Sequence, residues 1–258
     1  MKTRLAKFIA DAGAASRRSA ERLIESGAVA VNGAIVTTPV FFVEDGDKVS
    51  IHGKQISAAA KIRIFAFHKP IDVMTTLSDP NGRKTIYDFL PPEYKMLKYI
   101  GRLDFKTTGL ILLTNNGDVA RRLTLPTSGV VREYVAKLHP KNMGEIKSQA
   151  VAQRLRKFLS PLSADDSIFD SLRRGVVIDK IKYAPMEIEV VSRYPISVRI
   201  KLTEGKKNEI RIAFDAIGLP VSKLSRVSYG GIELGTLSPG GIRELSDGEV
   251  KKLLVNSD

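Results

Sequence analysis

The sequence predicts an α+β protein: a small N-terminal α/β module, then a larger domain dominated by antiparallel strands. Three observations predict it. Before residue 27 apolar residues recur at helical spacing, and short alternating runs follow. Residues 62–67, 110–114 and 130–138 read as strands, and between 175 and 202 three runs alternate with a strand period. Turn dipeptides at Asn32-Gly33, Ala184-Pro185 and Tyr194-Pro195 bound these runs.

Leu5, Phe8, Ile9 and Ala12 share one face of a helix predicted over 3–12 and closed by Gly13, with Lys2, Arg4 and Lys7 on the other face. Ser16 caps a second helix through Arg17, Arg18, Ala20, Leu23 and Ile24, which stops at Gly27. Residues 28–31 form a strand, Asn32-Gly33 turns the chain, residues 34–38 return, and 48–51 is a last small strand. Residues 57–61 are small and unpatterned. They read as a linker between units at 1–56 and 62–258 that move relative to one another.

In the second unit, 62–67 is a strand running into His68-Lys69-Pro70. A polar loop follows through Met74-Thr75-Thr76 and the turn Asp79-Pro80-Asn81-Gly82-Arg83. Residues 85–90 form a short helix stopped by Pro91-Pro92. The next stretch reads strand, loop, strand: an apolar run ending in Gly101-Arg102-Leu103-Asp104, a polar loop closed by Gly109, then 110–114. Asp118 caps a helix ended by Pro126, and 130–138 is a strand carrying Tyr134. Residues 141–160 are helical and 160–170 an acidic loop. The runs 175–182, 186–192 and 196–202 alternate as antiparallel strands. A charged turn at 204–209 caps a helix over 210–217, and 247–254 closes the chain as a helix.

Composition removes whole classes of chemistry. With no cysteine, disulfides, thiolate metal sites and cysteine nucleophiles are excluded. His52, His68 and His139 lack metal-ligand spacing, so no metal is expected. No apolar run is long enough to span a bilayer, and the N-terminus is amphipathic, unlike a signal peptide. A cytoplasmic protein without a membrane partner is expected. The 41 Lys and Arg against 28 Asp and Glu give a net charge of +13, spread along the chain, which points to a polyanion.

One carboxylate stands out against that charge. The loop lifts Asp104 out of a sheet between Arg102 and Lys106, cations that favour its ionised form, and makes it a candidate nucleophile. In the first unit, cations on adjacent helix faces beside the helix N-terminus at Ser16 make a site for RNA phosphates.

Two basic helices followed by a small sheet with Val31-Asn32-Gly33 between strands resemble the alpha-L RNA-binding module. Its RNA-facing residues would be Arg4, Lys7, Ser16, Arg17, Arg18 and Asn32. Gly101-Arg102-Leu103-Asp104, then Thr108 to Asn115, Tyr134, and Glu204-Gly205 with Ile210-Arg211 occur in the order seen in ribosomal pseudouridine synthases. Lys69-Pro70, Arg226-Val227 with Gly230, and Leu234-Gly235 before Pro239-Gly240 extend the resemblance over essentially the whole chain. It implies a mixed, mainly antiparallel sheet in two subdomains around a central basic cleft.

The resemblance makes Asp104 the catalytic residue, Tyr134 the aromatic on which the uracil stacks, Arg211 the ion partner of Asp104, and Arg102 a substrate contact. It implies a monomer acting on ribosomal RNA or a pre-ribosomal particle without a cofactor. The carboxylate can attack C1′ of the sugar or C6 of the base, or deprotonate the sugar. Departures from the family pattern are Leu125 before Pro126, Arg132, Asn208 and Ile212, and a long segment between Tyr134 and Arg211. Residues 221–230 favour 23S over 16S rRNA. The rival reading, a non-catalytic rRNA-binding assembly factor, is disfavoured by the presence of both Asp104 and Tyr134.

Overall fold

The computed structural model describes residues 2–57, 61–160 and 163–255. The linker expected at 57–61 lies largely outside them.

The first unit opens with a strand where helix was expected. β1 (Thr3–Arg4) pairs with a later strand, so α1 (Leu5–Asp11) starts two residues late. α2 (Arg17–Glu25) is capped by the Ser16 hydroxyl, which accepts from Ser19 N at 3.2 Å. β2 (Val29–Val31) turns through Asn32 and Gly33, both at positive φ, into β3 (Ala34–Ile35), the mirror-type turn that hairpin twist requires. β4 (Phe42–Val43) receives β1, while β5 (Val49–Ile51) and β6 (Lys54–Ile56) complete a sheet in the order β3-β2-β5-β6. Leu5, Ile9, Ala20, Ile24, Val29 and Val49 are fully buried in a core of the unit's own.

The second unit begins with β7 (Ile64–Lys69). The segment expected as a helix at 85–90 is only a 3-10 turn at Ile86–Asp88. β8 (Lys98–Ile100) and β9 (Thr107–Thr114) follow. β9 is buried almost end to end because both of its faces are covered. It starts two residues before Gly109. That glycine does not close the loop but sits inside the strand, where a Cβ would lie 2.2 Å from the carbonyl oxygen of Arg226.

α3 (Gly117–Thr124) is capped by Asn116 rather than Asp118: the Asn116 side chain accepts from Asp118 N at 2.9 Å and Val119 N at 3.0 Å. Asp118 instead pairs with Lys7 at 2.7 Å, and Lys98 approaches Asp11 at 3.7 Å, so ion pairs join the two units. β10 (Arg132–Leu138) carries Tyr134. The helix expected over 141–160 forms only as α4 (Gln149–Leu159), followed by α5 (Asp170–Arg174). The run expected as one strand at 175–182 is a hairpin, β11 (Val176–Ile178) and β12 (Ile181–Tyr183), turning at Asp179 and Lys180, both at positive φ.

β13 (Glu187–Arg193), β14 (Ile196–Leu202), α6 (Glu209–Ala216), β15 (Val221–Tyr229), β16 (Ile232–Glu233), β17 (Ile242–Glu244) and α7 (Asp247–Val255) complete the chain. The main sheet runs β13-β14-β10-β15-β9-β7-β17, with β8 on β9 and β16 on β15. Its pairs are antiparallel except β9 with β15, where Leu224, Ser225 and Arg226 oppose Thr107, Thr108 and Gly109. That parallel seam divides the cores. One packs β10, β13 and β14 against α4, α5 and α6; another packs β7, β8 and β9 against α3 and α7. A further one lies on the other face of β7 and β9, around Phe65, Phe67, Val73, Ile86 and Ile111. The fold is α+β on a mixed sheet. Among the described residues no helix is long and apolar enough to cross a membrane.

Candidate active site

A cleft of about 1080 Å³ opens over the seam. Arg102 and Asp104 from the loop between β8 and β9, Tyr134 from β10 and Arg211 from α6 all line it, although 109 positions separate the first from the last.

The Asp104 loop owes its shape to backbone contacts. Every carbonyl from Leu103 to Thr107 has a donor. Leu103 O accepts from Thr75 Oγ1 at 3.0 Å and Asp104 O from Thr107 N at 3.0 Å. Phe105 O accepts from Asp72 N at 3.0 Å, Lys106 O from Arg211 Nη2 at 2.9 Å, and Thr107 O from Lys69 Nζ at 2.8 Å. The Asp104 carboxylate, by contrast, is exposed to the cleft and takes no hydrogen bond or ion pair among the described residues.

Two expected partnerships differ. Arg211 reaches the loop through the carbonyl of Lys106 and braces β15 through Val221 O at 2.9 Å, without pairing with Asp104. Lys106 pairs with Asp72 at 2.7 Å rather than with its neighbour two residues back. A cation coupled to this loop is Lys69, at the end of β7 and wholly buried. Burial pushes its ammonium down to about 8, the carboxylates of Asp72 and Asp104 oppose that, and Arg226 adds to it.

Tyr134 is 8% exposed and packs in the core that also holds Leu103, Leu202, Ile210 and Leu224, so its ring forms part of the cleft floor. Beside it lie two arginines that sequence reading did not place in the site. Arg226 is 1% exposed, donates from Nε to Leu110 O at 2.7 Å and stacks 4.9 Å from the Tyr229 ring centroid. Arg132, from β10, donates to Thr203 O and to Glu204 O. Glu209, at the start of α6, is 4% exposed. Burial, with Glu204 against it, pushes its carboxyl up to about 7. A charged residue ending an otherwise apolar, buried strand was the available signal for Lys69.

In the first unit, Arg4, Arg17 and Arg18 are exposed, and Ser16 and Asn32 are structural as well as exposed. Asn32 donates to Asp47 at 2.8 Å and accepts from Lys48 N at 2.9 Å. Lys7 is held by Asp11 at 2.9 Å and Asp118 at 2.7 Å, and its ammonium is raised chiefly by Asp118.

This arrangement presents a carboxylate and an aromatic face in one basic cleft, with a separate basic surface on the first unit. The sequence pattern of the RNA pseudouridylate synthase family matches residues 63–216, and that of the S4 domain matches residues 3–49. An uncharacterised RNA pseudouridine synthase of Rickettsia typhi is 34% identical over 98% of this chain and 96% of its own. Ribosomal large subunit pseudouridine synthase B of Bacillus subtilis is 34% identical over 99% of this chain and 97% of its own. A crystal structure of a pseudouridylate synthase superposes with a TM-score of 0.63 at 25% identity, covering 97% of this chain and 99% of that one.

Proposed function

The chain belongs to the RNA pseudouridine synthase family, and from that premise we propose that it converts one uridine of large-subunit ribosomal RNA, the 23S molecule, to pseudouridine with Asp104 as the catalytic carboxylate. The reaction breaks the bond from N1 to C1′, turns the base and joins C5 to C1′. The proton lost from C5 is balanced by one gained at N1, so nothing is added or removed.

The observation that carries this reading is the convergence of Arg102, Asp104, Tyr134 and Arg211 on one cleft. A uridine stacked in a helix cannot bring C1′ or C6 to Asp104, so it must leave the stack, at a cost of a few kcal/mol. The ring of Tyr134 offers it a face to rest on, which offsets part of that cost. Arg102, exposed beside the carboxylate, contacts the phosphate or fills the space the base has left. Arg211 holds the loop, and Arg4, Arg17 and Arg18 take RNA phosphates at a distance from the cleft. The large-subunit target draws support from the name of the Bacillus subtilis relative and from residues 221–230.

The test is a pseudouridine map of rRNA from a strain lacking the protein, after reaction with wild type or Asp104→Asn. One new site in 23S rRNA with wild type, absent with the variant, is expected. Identical maps would refute the role of Asp104, and a site in 16S rRNA would refute the target.

A further inference from the structure

We propose that Thr75 is a positioning residue for Asp104, acting as the clamp that fixes the peptide ahead of the carboxylate; this rests on the assignment of Asp104 as the catalytic group. The Asp104 side chain makes no hydrogen bond or ion pair among the described residues, so its aim depends on how its backbone is held. Behind it the backbone is held several times over, by Asp72 N, Lys69 and Arg211. Ahead of it the hold is Thr75.

Its hydroxyl donates to Leu103 O at 3.0 Å and accepts from Leu103 N at 3.4 Å, so one side chain grips both polar groups of the residue before Asp104. Thr75 is 7% exposed and Leu103 6%, which keeps water from replacing the hydroxyl cheaply. Further ahead, Gly101 N donates to Thr124 Oγ1 at 3.1 Å, three residues from Asp104.

Thr75 is itself set rigidly. Met74 N donates to Lys84 O at 2.8 Å, and Ile86 N donates to Met74 O at 2.9 Å, locking the neighbouring residue into a short ladder. Val73, 3% exposed, and Ile86, fully buried, anchor that ladder in the core. Core packing is thereby relayed through one hydroxyl to the reacting carboxylate. Misplacing a reacting group by about 1 Å costs on the order of a hundredfold in rate, so losing this clamp acts on turnover and leaves RNA binding alone.

The experiment measures kcat and KM on a 23S rRNA transcript for wild type, Thr75→Val, Thr75→Ser and Asp104→Asn. Valine keeps the shape and removes the hydroxyl. A fall in kcat of about tenfold or more with KM unchanged is expected for Thr75→Val, and near wild-type kcat for Thr75→Ser, which restores the hydroxyl. Wild-type kcat in Thr75→Val, or equal loss in both variants, overturns the proposal. Should Thr75→Val fail to fold, hydrogen exchange in the wild-type protein decides: the Leu103 amide must exchange more slowly than that of exposed Arg102, and equally fast exchange overturns it. If Asp104→Asn is inactive while Thr75→Val is normal, the clamp alone fails. If Asp104→Asn turns over like wild type, the underlying assignment fails.

Discussion

Arg211 donates from Nη2 to the carbonyl of Lys106 at 2.9 Å, joining α6 to the Asp104 loop across 105 positions of sequence. The same guanidinium donates from Nη1 to Val221 O at 2.9 Å. A planar fork with two arms spans these carbonyls, and a lysine ammonium cannot hold both at once. Arg211→Lys therefore keeps the charge and loosens the loop. Its single-turnover rate at saturating RNA should fall by about tenfold or more, with RNA affinity changed much less. A wild-type rate in this variant would mean that charge, and not the bridge to Lys106, is what matters.

Gly109 separates stability from chemistry. It lies on the parallel seam opposite Arg226, at φ +107, where a Cβ would come within 2.2 Å of the Arg226 carbonyl oxygen and 2.6 Å of its nitrogen. Backbone cannot move aside as a flexible side chain can. Gly109→Ala should cost more than about 3 kcal/mol, read as a shifted denaturation midpoint in urea, and should part the two halves of the sheet beneath the cleft. A midpoint near wild type would show that the seam between β9 and β15 yields without loss of stability.

Glu209 makes stability depend on pH. The residue is 4% exposed, Oε2 accepts from Lys206 N at 3.0 Å, and Oε1 is buried without a hydrogen-bond donor among the described residues. Burial and the neighbouring Glu204 raise it from the ordinary 4.5 to about 7 in the folded chain. The folded state thus binds this proton more tightly than the unfolded one. The resulting stabilisation is fully present below about pH 4.5 and is lost as pH rises through 7. Glu209→Gln keeps the shape and cannot ionise. It should melt higher than wild type at pH 8, by an amount on the order of 3 °C, with the gap closing at pH 4.5. A gap independent of pH between these values would assign the effect to packing.

These residues differ in how far the sequence discloses them. α2 is legible because its cap and its apolar phase are local, and Asn32-Gly33 because its turn demands residues that tolerate positive φ. The hairpin at Asp179 and Lys180 is hidden because positive φ there falls on residues that are not glycine. Asn116 takes the cap expected of Asp118 because α3 begins at Gly117, which puts Asp118 inside the helix, free to pair with Lys7 of the other unit, a contact no local pattern encodes. Of the residues that line the cleft, Asp104, Tyr134 and Arg211 can be singled out from their order along the chain. Thr75 and Lys69 are not, since each acquires its part only when a loop 28 or more positions later folds against it.

The same distinction decides which cations of the first unit respond to salt. Arg17 and Arg18 are exposed at the first turn of α2, whereas Lys7 is committed to Asp11 and Asp118. A cation already neutralised by protein carboxylates releases no counterion from RNA when the complex forms. Each free cation that contacts a phosphate adds about 0.7–0.9 to the slope of log affinity against log salt. Arg17→Ala with Arg18→Ala should therefore reduce that slope by between about 1 and 2, measured by filter binding to a 23S rRNA transcript across a salt series. Lys7→Ala should leave the slope within error of wild type. If Lys7→Ala lowers the slope as much as the double variant, Lys7 leaves Asp118 when RNA binds, and the ion pairs between the two units open on the substrate.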